Sequence, residues 1–253
     1  MIDLHCHVLP GIDDGPASLD GSLALARAAA AAGIETLVAT PHVSARYHND
    51  AATIAPLVAQ VNAALVDDGV AVRVLAGAEV AMTRVAELRA GELSLLGLGG
   101  GSWLLLEPPF GSVATGLDSI VAELQQQGHH VLLAHPERCQ AFHRDPALVS
   151  RLVSSGVRTS VTADSLAGRF GSTVRRFALA MFDQELVHNV TSDAHDHVNR
   201  PPGIAAQLER AGYGAMSEWL AVEVPRAILT DEALPARPSD GSRRARGRWR
   251  LRR

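Results

Sequence analysis

The chain has 253 residues, 47% of them hydrophobic, enough to bury one large core, and α/β barrels of this length commonly remain a single domain. No run approaches the roughly 20 apolar residues of a membrane-spanning helix, the opening MIDLHCH has no signal-peptide pattern, and Cys6 and Cys139 are too few for a disulfide framework, which together predict a cytoplasmic protein with reduced thiols. All 23 basic residues are arginine, and seven of them fall in residues 239–253 against one Asp, so the remaining 16 face 26 acids and give an acidic body with a net charge of −10 beside a basic tail.

In chain order, residues 2–7 read as a strand, followed by a helix over 18–32 with Ser18 as N-cap and Gly33 as its stop. A strand over 36–40 and a helix over 51–68, ended by Gly69, come next. Strands at 72–79 and 103–107 flank residues 98–101, whose glycines precede a strand; a phosphate-cradling loop must lead from a strand into a helix, so a turn is expected there. A helix over 117–127, stopped by Gly128, and strands at 131–135, 159–162 and 188–192 complete the pattern. Alternating β-branched runs and Ala-rich helices predict an α/β fold around a parallel sheet, with a barrel as the leading architecture. From Pro235 onward Pro, Ser, Gly and Arg replace apolar residues, so the sequence divides into a domain over 1–234 and a disordered tail over 235–253.

The chemistry lies at the strand ends. His5 and His7 are two apart in a strand, so both imidazoles point to the same side. Taken alone, this HxH pair is a weak signal, but His42 follows the second strand, Glu79, Glu107 and His135 end the next three, and Asp193 and His195 follow the last. In a parallel barrel the carboxyl ends of the strands share one mouth, where residues distant in sequence become neighbours. Glu107 between LLL and two prolines would be costly to bury unless paired or metal-bound. Asp14 in GIDDG is a turn residue that the same cluster could recruit. Mixed His and carboxylate ligation suits Zn, Mn or Fe, and this many ligands implies two or three ions. Clustered dications favour phosphate ester hydrolysis, with Arg138 and Arg200 placed to grip the phosphate.

These residues sit in IDLHCHVLPGIDDGP, VATPH, GAE, LLLEPPF, AHPER, VTADSL and SDAHDHVNRPP, and through them residues 1–205 resemble the polymerase and histidinol phosphatase (PHP) superfamily. The likeness is greatest to its capsular or exopolysaccharide-associated bacterial protein-tyrosine phosphatases. The resemblance implies a distorted seven-stranded β/α barrel of TIM-like form. It also implies a trinuclear centre, with manganese favoured. His5, His7, Glu79 and Asp193 would hold one ion, Glu79, Glu107 and His135 a second, and Asp14, His42 and His195 a third. A hydroxide bridging the metals would attack phosphorus, and a membrane-associated bacterial tyrosine kinase would be the phosphotyrosine partner. Cys6 stands where that family often has Ser, and Asp164 where it has Gly.

A thiol-based tyrosine phosphatase needs arginine six residues after its cysteine, but Ile12 and Asp145 occupy those positions. Two rivals remain: a small-molecule phosphatase such as a histidinol phosphatase, and a non-catalytic regulatory protein. Tyr47 is the ring that the sequence offers for stacking on a phosphotyrosine. The basic tail, with Trp249 among its arginines, is suited to an anionic membrane or nucleic acid.

Overall fold

The computed structural model describes residues 1–238. Nine strands form among the described residues: β1 Ile2–Cys6, β2 Thr36–Ala39, β3 His42–Val43, β4 Arg73–Ala76, β5 Glu79–Ala81, β6 Trp103–Glu107, β7 His130–Ala134, β8 Arg158–Thr162 and β9 Asn189–Thr191. Every pairing between them is parallel, in two sheets of order β1-β2-β4 and β3-β5-β6-β7-β8-β9. Past the end of β2, Thr40 N prolongs the pairing with β1 by donating to Cys6 O, and Glu79 N at the start of β5 donates to Pro41 O between β2 and β3. At the other side Asp193 N donates to His5 O, His7 N donates to Ala194 O, and Cys6 bridges Ala194 in parallel register.

The strand expected over 72–79 is broken into β4 and β5. At Gly77 between them, an added Cβ would lie 2.8 Å from Val38 Cγ1, so this bend packs against β2 too closely for a side chain. The strand expected over 36–40 likewise resumes beyond Pro41 as β3, which puts His42 inside a strand. The expected strand over 131–135 ends one residue early, because His135 has left-handed backbone.

Ser18 Oγ caps the helix Leu19–Ala31 by accepting from Gly21 N, and Gly33 at φ 78° ends it. The helix Ala51–Asp67 is capped by Asp50, which accepts from Thr53 N at 2.8 Å. The helix Leu117–Gln126 forms as its pattern predicts, and residues 98–100 make a tight 3-10 turn. Beyond β8 the structure adds helices that the sequence reading missed, chiefly Ser172–Asp183 and the π-helical Trp219–Glu223 running into Val224–Leu229. No helix among the described residues is long and apolar enough to cross a membrane.

Leu104, Leu105, Leu106, Leu132 and Leu133 are buried on both faces of the central strands, as expected for a parallel sheet covered on each side. Truncating one of these leucines to Ala costs about 2–5 kcal/mol. Residues 235 to 237, assigned to the tail by composition, are tied to the body: Trp219 Nε1 donates to Pro235 O and Arg237 Nη1 donates to Val187 O. Composition misses this because the segment is held by a main-chain carbonyl and by an arginine that also lies over the Trp219 ring at 5.3 Å, not by apolar side chains of its own. The rest of the expected tail, from residue 239, lies outside the described residues.

His188 marks the amino-terminal end of β9. Its Nδ1 accepts from Thr159 N at 3.3 Å, and burial, with Arg158 and Arg237 nearby, drives its pKa from 6.5 down to about 3. The neutral form is therefore the folded form, and between pH 6.5 and 3 the unfolded chain takes up a proton that the folded chain refuses. Stability falls as the pH drops through that window. Urea unfolding of chelated protein at pH 7 and pH 5 should show this loss, and His188→Gln should make it shallower; an unchanged slope would show that His188 does not carry it.

Candidate metal centre

His5 and His7 leave β1 on the same side, fully buried, with Nε2 atoms 3.2 Å apart. Glu79 opens β5 and Asp193 lies two residues beyond β9. Glu79 Oε2 is 3.4 Å from His5 Nε2 and 3.5 Å from His7 Nε2, and Asp193 Oδ1 repeats those distances. Ligand atoms about 2.0–2.1 Å from a shared ion lie roughly 3 Å or more apart, so these five separations suit atoms that share a cation. His5, His7 and Asp193 form one compact group, while Glu79 reaches on to His135 and His42.

A second group forms around Asp14. Its Oδ1 is 3.4 Å from His42 Nε2 and 3.2 Å from His195 Nε2, and its side chain is 44% exposed, the open side of the cluster. The third group is looser: His135 Nε2 lies 2.7 Å from Glu79 Oε1 and 3.9 Å from Glu107 Oε1, while Glu107 Oε2 is 3.9 Å from His42 Nδ1. All nine residues singled out in the sequence therefore converge, and Glu79 touches His5, His7, His42 and His135 at once.

Arg138 and Arg200 reach the same place. Both donate to Asp193 Oδ2, at 2.5 and 2.6 Å, while Oδ1 of that carboxylate faces the two imidazoles of β1. Two of the four non-glycine residues with positive φ among the described residues are His135, at 30°, and Asp193, at 52°. Such strain of order 1–3 kcal/mol persists where surrounding contacts over-determine it, typically at functional sites.

Three supporting acids escaped the sequence reading. Asp13 Oδ2 lies 2.7 Å from His7 Nδ1, and the same side chain accepts from Gly15 N and His42 N. The turn carrying Asp13 and Asp14 sits directly on β1, since a Cβ at Gly15 would come within 2.4 Å of His7 O. Asp3, buried, accepts from Ser192 N and Oγ and braces β1 against the segment holding Asp193; burial lifts its pKa to about 6. Glu137 accepts from Thr162 N and Ser165 Oγ and anchors the turn that bears Arg138. Asp13 was visible as the other half of the DD pair; Asp3 and Glu137 left no periodic signal.

Cys6 and Asp164 stay outside the cluster. The Cys6 thiol is buried on the opposite face of β1, 3.8 Å from Ala194 O, and Asp164 pairs with Arg169 and Gln207.

The electrostatics suit a cation. Burial disfavours the charge on Glu79, yet His5, His135 and His42 hold its pKa well below the ordinary range. Glu107 goes the other way, pushed up to about 8 by burial and then by the charge of Glu79. Burial acts against the His7 imidazolium, but hydrogen bonds to Asp13, Asp193 and Glu79 hold its pKa well above normal. Without a cation, protons must compensate this packed charge, and His5 Nδ1 and His135 Nδ1 remain buried with no hydrogen-bond partner. The donor set fits divalent ions, with no thiolate among it.

Residues 1–229 match the family model for capsular polysaccharide synthesis, CpsB/CapC. The tyrosine-protein phosphatase YwqE of Bacillus subtilis is 36% identical over 197 residues, 78% of each chain. The tyrosine-protein phosphatase CpsB of Streptococcus pneumoniae is 27% identical over 247 residues, covering 92% of this chain and all of that one. The fold superposes with a TM-score of 0.81 and 30% identity, over 92% of this chain and 96% of the other, on a chain from the crystal structures of YwqE and CpsB, described as unique metal-dependent tyrosine phosphatases. With its strand-end histidines and carboxylates gathered as above, this chain belongs to the CpsB/CapC family of capsular polysaccharide synthesis.

Proposed function

We propose that this protein is a metal-dependent phosphatase that hydrolyses phosphotyrosine in proteins and acts in capsule or exopolysaccharide regulation. The carrying observation is the set of five ligand-atom separations of 3.2–3.5 Å among His5, His7, Glu79 and Asp193. Membership of the CpsB/CapC family and the tyrosine-phosphatase relatives support the substrate class. The fold reading is a distorted (β/α)7 barrel of PHP type, in which β2 runs on into β3 and β4 into β5. The bond pairs joining β1 to the segment after β9 support that closure.

His5, His7, Glu79 and Asp193 would hold one ion, Glu79, Glu107 and His135 another, and Asp14, His42 and His195 a third, with manganese favoured. When bound, such ions supply charge to stabilise phosphoryl oxygens and to acidify water. The chain does the rest. Asp13 fixes the His7 ring through Nδ1, leaving Nε2 toward the cluster. Asp193 holds Arg138 and Arg200 in a fixed orientation, with their remaining N–H donors available to two phosphoryl oxygens. The free, buried thiols of Cys6 and Cys139 agree with a cytoplasmic setting, where a membrane-associated tyrosine kinase is the proposed partner.

Purified protein should lose turnover of a phosphotyrosine peptide on chelation and regain it with Mn, and should hydrolyse histidinol phosphate more slowly. Turnover that survives complete chelation would sink the metal mechanism, and a reversed preference would favour the histidinol phosphatase reading. His135→Ala should lower the metal content per chain and cut kcat by more than about 100-fold with the far-UV spectrum unchanged. Asp13→Asn, which keeps the shape but weakens the hold on His7, should reduce metal affinity or activity about 10- to 100-fold. Wild-type metal affinity in that variant would exclude an orienting role for Asp13.

A further inference from the structure

Five large hydrophobic residues are strongly exposed among the described residues, and Phe110, at 46%, is the aromatic one. It lies in the loop after Glu107. Its ring stacks on His135, with centroids 5.4 Å apart and planes 16° from parallel. The Arg138 guanidinium lies 5.0 Å from the Phe110 centroid and 4.5 Å from that of Phe170, so the proposed phosphate-binding arginine carries two aromatic neighbours.

Phe110 is held in this position from both sides. Cys139 Sγ donates to Pro109 O at 3.0 Å, and Ala141 N donates to Gly111 O at 3.2 Å. The two carbonyls flanking Phe110 are thus tied to the segment that begins just after Arg138. Pro108 and Pro109 restrict the backbone on its amino-terminal side. An exposed phenyl ring ordered in this way is preorganised to contact a ligand.

We propose that Phe110 is the specificity-determining residue that distinguishes an aryl phosphate from an alkyl phosphate at this site. The inference rests on the phosphatase reading above. In a phosphate ester only one oxygen separates phosphorus from the leaving group, so a phosphate gripped by Arg138 carries its leaving group out past the residues touching Arg138 and His135. Phe110 touches both and offers an aromatic face, which gains more from stacking on a second aromatic ring than from contact with an alkyl chain. Phe170 touches Arg138 but is less exposed, so its role is to position the guanidinium. Tyr47, the ring that the sequence suggested, is less exposed, and the guanidinium over it is that of Arg46 rather than of an arginine that reaches Asp193.

The test is calorimetry on metal-loaded protein with benzylphosphonate, butylphosphonate and inorganic phosphate, a methylene standing in for the ester oxygen. Wild type should prefer the benzyl ligand. Phe110→Leu should weaken benzylphosphonate about three- to tenfold more than butylphosphonate, and Phe110→Tyr should restore the preference. Phe170→Leu should weaken all three ligands alike. Equal losses for benzyl and butyl ligands in Phe110→Leu, or no benzyl preference in wild type, would overturn the inference. If wild type shows the preference but hydrolyses no phosphate ester, the phosphatase reading fails while the aryl wall stands; if it binds none of the three ligands, both fall.

Discussion

Asp193 divides one buried carboxylate between two tasks, and the centre depends on that division. Oδ1 lies 3.4 and 3.5 Å from the imidazoles of His5 and His7, while Oδ2 accepts from Arg138 and Arg200. A buried carboxylate is tolerated only when its charge and lone pairs are met, and here both oxygens have partners on elements far apart in sequence. The same side chain thus ties the proposed metal pocket to the proposed phosphate grip. Moving it would disturb both at once. Its backbone, at φ 52°, carries the cost of aiming it.

Parallel strands explain why such a centre can be assembled. Glu107 ends β6, His135 follows β7 and Asp193 follows β9, at the carboxyl ends of their strands, whereas His42 and Glu79 open the short strands β3 and β5 that resume after β2 and β4. The histidines of β1 are braced further: Asp13 fixes His7 through Nδ1, and Asp3 ties β1 to Ser192 beside Asp193. These acids contribute rigidity and keep the imidazoles aimed inward. Around the rim, Tyr47 lies against His42 and Phe110 against His135, so aromatic rings border the polar cluster on two sides.

Much of this was legible in the sequence because strand periodicity and strand ends are local properties. His5 and His7 had to share a face once residues 2–6 formed a strand, and Glu107 after three leucines announced a carboxylate that needed a partner. The helix stops at Gly33, Gly69 and Gly128 followed from glycine's access to positive φ. The break at Gly77 was not legible, since it depends on how closely Val38 approaches from the neighbouring strand. The helices beyond β8 were missed because their apolar positions are set by the surfaces they cover.

The sequence by itself determined the kinds of ligand, their order along the chain, the absence of a thiol phosphatase spacing, and the family through its motifs. Only the tertiary structure decided which atoms meet. The grouping of His5, His7, Glu79 and Asp193 at 3.2–3.5 Å, the shared hold of Asp193 on two arginines, and the exposure of Phe110 rather than Tyr47 depend on the register and twist of strands that lie up to 189 residues apart in sequence. Local pattern cannot encode those distances, because they arise from packing between elements whose separation in space the chain sets only when it closes on itself.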